Sequence, residues 1–151
     1  MKPQFASSLS ALAASALFLA VSSTTANAAD YTWDTTSGDG STITAASGTW
    51  STTGTNWNSA GSNLVWSQTS ATVASHNAIF AGADGTYTVT LSGTTNAQSV
   101  AFNNSGYTLT SGTLTLKPTG TTNGNITVAA NKTATINSNI AFNDNRAVTI
   151  T

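Results

Sequence analysis

The sequence predicts an all-β fold in which short strands wind into a parallel β-helix, a solenoid with turns of about 20 residues. Three observations predict it. Apolar residues alternate with Thr or Ser, as in Tyr87, Val89 and Leu91 or in Leu114 and Leu116, which is the period of a strand with one buried face. These alternating pairs recur at a steady interval: Tyr87/Val89, then Tyr107/Leu109 twenty residues on, Ile126/Val128 after nineteen and Arg146/Val148 after twenty. A second series places Ala134/Ile136 twenty residues after Leu114/Leu116, and Ile140/Phe142 forty after Val100/Phe102, with Gly120-Thr121-Thr122 at the intervening position. Finally, turn signals at Ser105-Gly106, Ser111-Gly112, Gly120 and Asn123-Gly124 interrupt the pattern, and no segment beyond the first 28 residues holds a helical period. The competing architecture is a small antiparallel β-sandwich, which also carries short alternating strands.

Taken in order, residues 1–28 read as a signal peptide. Lys2 supplies the positive end, Ala11 to Val21 the short apolar stretch, and Ala26-Asn27-Ala28 the cleavage signature with small residues at Ala26 and Ala28. Eleven apolar residues fall well short of the roughly 20 that span a bilayer, so no membrane span is expected once the leader is removed. Residues 29–85 form a Trp- and Gly-rich β region, expected to cap the solenoid, with short runs such as Thr42-Ile43-Thr44, Thr49-Trp50-Ser51 and Leu64-Val65-Trp66 between Gly-containing turns. Residues 86–151 carry the repeating turns and stop in mid-strand, with no capping segment after Ala147-Val148-Thr149-Ile150-Thr151.

Composition excludes several functions. Charged residues make up 6% of the chain, Glu and Cys are absent, and the part after the leader sets Lys117, Lys132 and Arg146 against five aspartates, a formal net of −2. Phosphate binding needs clustered Lys and Arg, so nucleic acid is not an expected partner. An exported chain without cysteine must hold by backbone ladders and packing. Four Trp, three Tyr and five Phe argue against disorder.

Little catalytic chemistry is in view. His76 is the single histidine and Asp84 lies eight residues on, but no G-x-S-x-G elbow is present, and His76 reads as a solvated loop residue. The aspartates sit beside Gly or Asn in Asp39-Gly40, Asp84-Gly85 and Asn143-Asp144-Asn145, which is turn chemistry rather than a carboxylate pair. Asp34 and Asp39 offer hard oxygen ligands without matching a known calcium loop. The expectation is no enzyme, no metal and no cofactor. Trp33, Trp50, Trp57 and Trp66 have two readings: a plug over the N-terminal end of an apolar column, which is favoured, or a platform on which sugar rings stack.

The stretches Gly85-Thr86-Tyr87-Thr88-Val89-Thr90-Leu91-Ser92-Gly93, Val100 to Leu109 and Ser111 to Leu116 resemble the autotransporter-associated β-strand repeat, and Gly48-Thr49-Trp50, Asn56-Trp57, Trp66 and Ala78-Ile79-Phe80 look like the N-terminal part of such passengers. The resemblance implies a right-handed parallel β-helix carried to the cell surface or outer membrane as a stalk or adhesin-like passenger. The expected function is therefore a non-catalytic, exported structural module, the N-terminal part of a passenger. The alternatives are a carbohydrate-binding module or remnant of a β-helical carbohydrate-active enzyme, and a matrix or fibril-forming protein. Expected partners are surface glycans, or a second copy paired through the open C-terminal turn.

Overall fold

The computed structural model describes residues 28–67, 76–118, 124–142 and 148–151. The expected leader up to residue 27, the Gly120-Thr121-Thr122 segment and Arg146 lie outside them. Among the described residues there are fourteen short strands and no helix. The N-terminal group is β1 (Ala29–Trp33), β2 (Gly48–Trp50), β3 (Trp57–Ser59) and β4 (Ser62–Leu64). Three triplets follow. They are β5 (His76–Phe80), β6 (Tyr87–Leu91) and β7 (Thr94–Ala97); β8 (Ser99–Phe102), β9 (Tyr107–Thr110) and β10 (Thr113–Leu116); and β11 (Gly124–Val128), β12 (Ala134–Ile136) and β13 (Asn139–Phe142). The last strand is β14 (Val148–Ile150).

The strands form three sheets, and within the triplets each strand pairs with the one three places later. A seven-stranded sheet runs β14-β11-β8-β5-β1-β3-β4, a four-stranded sheet β12-β9-β6-β2 and a three-stranded sheet β13-β10-β7. Every described pairing that involves a strand from β5 onward is parallel, whereas β1 with β3 and β3 with β4 are antiparallel. Parallel partners cannot be joined by a tight hairpin; they need a crossover of a dozen residues or more, usually a helix. Here the crossover consists of one strand in each of the other two sheets. This topology overturns the antiparallel sandwich, which requires neighbours paired through hairpins.

The register departs from a constant interval. Tyr87 pairs with Tyr107 and Val89 with Leu109, as the spacing predicts. Beyond that, Tyr107 pairs with Ala134 and Leu109 with Ile136, while Ile126 lies beside Val100 in another sheet and Leu114 beside Ile140. Val148 pairs with Gly124 rather than Val128. The cause is connection length: one residue, Gln98, joins β7 to β8, but residues 117–123 join β10 to β11. The parallel register also crosses the boundary expected at residue 85, because β5 already pairs with β8 on one side and β1 on the other.

Inward side chains stack from triplet to triplet. Ala78 and Phe80 lie beside Val100 and Phe102, then Ile126 and Val128; Leu114 and Leu116 lie over Thr95 and Ala97. Most of these are fully buried, and Phe80 stacks on Phe102 at 5.0 Å between centroids. The connections bend through residues that tolerate a left-handed backbone. Gly106 has φ +97°, and a Cβ there would overlap the Gly85 carbonyl oxygen, so the turns of successive triplets pack with backbone against backbone.

Candidate functional site

The four tryptophans converge at the N-terminal end of the core. Trp57 lies 4.7 Å from Trp50, 4.6 Å from Trp66 and 5.2 Å from Trp33, and three of the four indoles reach Phe80 within 6.1 Å. All four are at most 1% exposed. This corrects the glycan-stacking reading of Trp33, Trp50, Trp57 and Trp66, because a ring with no exposed face cannot stack on a sugar. The Nε1 of Trp33 donates to the Ala46 carbonyl at 2.8 Å and that of Trp66 to the Asn96 carbonyl at 2.9 Å, while the Nε1 groups of Trp50 and Trp57 are buried without a partner.

His76 is not a solvated loop residue. It opens β5 at 8% exposure, its ring stacked on Tyr31 at 4.0 Å and set edge-on to Trp66 at 5.4 Å, with Nε2 and the Ser67 hydroxyl 2.8 Å apart. The alternation that places Ala78 and Phe80 inward places His76 inward too, at the margin of the aromatic cluster. Asp84 is engaged elsewhere. Its carboxylate accepts from the Ser105 amide at 2.7 Å and from Lys132 Nζ at 2.8 Å, tying together the connections that precede β6, β9 and β12. The Lys132 hydrogen bond first, and the Ser105 amide second, hold the Asp84 carboxyl below its usual range. Burial pushes the Tyr107 phenol well above its ordinary value.

Asp34 is fully buried and serves as a loop anchor. It accepts from the Thr36 amide at 3.1 Å and from Asn58 Nδ2 at 3.4 Å; Asn58 also donates to the Gly40 carbonyl at 2.6 Å, and Asn63 to the Asp34 carbonyl at 2.8 Å. Both Asp39 carboxylate oxygens are buried without a partner. Among the described residues no group of three or more His, Cys, Asp or Glu gathers as a metal-ligating set.

The most regular surface is the outer face of the four-stranded sheet. Val89 and Leu91 of β6, and Tyr107 and Leu109 of β9, point into the core, so Thr88, Thr90, Thr108 and Thr110 point away from it. The same alternation turns Thr49 of β2 and Thr135 of β12 outward. Pairing aligns them in two columns: Thr49, Thr90 and Thr110, and Thr88, Thr108 and Thr135. Thr49, Thr88 and Thr135 are exposed and the other three half-buried. Sequence reasoning took these threonines as generic solvent-facing positions; their alignment depends on the register, although the T-x-T spacing of Thr88/Thr90 and Thr108/Thr110 is visible in the sequence. The outer face of the seven-stranded sheet is mixed by comparison, with Asn77, Ile79, Ser99, Ala101, Asn125 and Thr127.

Compared with known protein families, curated proteins and solved structures, the chain matches none.

Proposed function

We propose that this chain is a right-handed parallel β-helix acting as a non-catalytic structural or adhesin-like module, exported and displayed at the cell surface or outer membrane as the N-terminal part of an autotransporter-type passenger. The observation that carries this reading is that, from β5 onward, partners recur three strands apart and pair parallel in all three sheets, since a chain that winds around one axis pairs its strands in that way. Low charge and the absence of cysteine suit a fold held by backbone ladders and an apolar column. Burial of the tryptophans removes the feature that favoured a carbohydrate-binding module.

Protease shaving of intact cells that produce the protein tests the placement. The expected result is loss of the chain from shaved cells together with a mature N-terminus after Ala28. A chain that keeps residues 1–28 and resists shaving until the cells are lysed overturns it.

A further inference from the structure

We propose that the outer face of the four-stranded sheet is an ice-binding surface. Six threonines, Thr49, Thr88, Thr90, Thr108, Thr110 and Thr135, occupy it in two aligned columns across four strands. Neighbouring strands lie about 4.8 Å apart and residues two apart along a strand about 6.6 Å apart, which fixes the two repeats of the array. Each position offers the same hydroxyl, able to donate and accept, beside the same methyl group. None carries a charge.

A surface of equivalent groups at two fixed repeats has no position suited to one small molecule, and without charge it has no hold on an ion or a phosphate. Its complement is a solid with similar repeats. Water oxygens hydrogen-bonded at about 2.75 Å in tetrahedral geometry have second neighbours about 4.5 Å apart and a stacking repeat of about 7.3 Å. Across the two intervals of a column the mismatch accumulates to about 0.6 Å, and along a strand it is about 0.7 Å, comparable to the range over which O–H···O bonds persist. The Oγ1 atoms of Thr90 and Thr110 lie 3.4 Å apart, closer than the strand spacing, so contact with the lattice requires one hydroxyl of that pair to rotate about χ1. The methyl groups favour ordered water between them. A crystalline polysaccharide is the other repeating solid, but sugar faces stack on aromatic rings, and all four tryptophans are buried.

The test is ice growth in solutions of the full chain, read as thermal hysteresis and crystal shaping. The unmodified chain is expected to facet ice and hold a hysteresis gap. Thr108→Tyr, and independently the exposed Thr88→Tyr, should abolish the gap with melting temperature and circular dichroism unchanged, while Thr127→Tyr on the outer face of the seven-stranded sheet should retain it. Ordinary round ice from the unmodified chain overturns the proposal, as does a full gap in either folded Thr→Tyr variant of the array. Retention on microcrystalline cellulose with no effect on ice overturns it in favour of a polysaccharide. None of these readouts depends on where the cell places the protein, so the ice proposal and the surface-module proposal fail separately.

Discussion

The two ends of the core are built by different means. At the N-terminal end β1, β3 and β4 pair antiparallel and four indoles cluster, three of them against Phe80; from β5 onward every described pairing is parallel and the interior is filled by stacked Phe, Val, Leu, Ile and Ala. Apolar interior that would otherwise meet water at the N-terminal end is covered there by large rings, which β1, β2, β3 and the segment after β4 supply. The triplets have the opposite need, since repeating inward positions pack only if neighbours agree in shape. One end is therefore specified by a few large rings and the other by many small, repeated contacts.

That contrast can be broken by mutation. Trp57→Ala, at the centre of the indole cluster, is expected to destabilise by about 3–5 kcal/mol, with the loss seen in chemical denaturation. Leu109→Ala in the stacked interior is expected to cost about 2–5 kcal/mol, the lower part of that range if the neighbouring triplets close over the cavity. Equal losses at both sites would erase the distinction. Gly106→Ala tests the backbone packing between connections: left-handed strain contributes about 1–3 kcal/mol, and overlap with Gly85 adds to it, so the melting temperature should fall by several degrees.

Smaller effects sharpen the picture. Trp57→Phe removes a buried indole N–H that has no partner, so part of the packing loss is offset by about 1–3 kcal/mol of relieved desolvation. Trp33→Phe instead leaves the Ala46 carbonyl without its donor, and thermal melts should show the larger drop there. The smallest expected effect is at Asp84. Its carboxyl is held low in the folded protein, so its contribution is present at neutral pH and is lost as the pH falls below the ordinary carboxylate value of 3.8 and through the lowered one. Asp84→Asn should flatten that part of the acid-stability curve by slightly lowering stability at neutral pH, with little change at the acid end, a small effect for an exposed pair.

The strands themselves were legible because Thr alternates with apolar residues, and Tyr87 over Tyr107 follows from the spacing. Later register was not, because any alternating strand matches any other by pattern, and only the lengths of connections such as residues 117–123 decide which lie together. Thr95, buried beneath Leu114, carries no apolar signal at all. His76 shows the same limit. Its inward position follows from strand phase relative to Phe80, and its partner Ser67 comes from outside that strand. The burial of the four tryptophans was legible in outline, since large apolar rings concentrated in one segment are favoured out of water.

The separation of partners along the chain has a consequence for how the molecule assembles. Within the triplets, partners such as Thr94 and Thr113 or Tyr107 and Ala134 are 19 to 27 residues apart, while Ala29 must find His76 across 47. Loop-closure entropy makes the longer search only about 0.8 kcal/mol harder than one across 20 residues. Each newly made triplet can thus anneal on its predecessor as a template, and folding can advance in one direction along the chain.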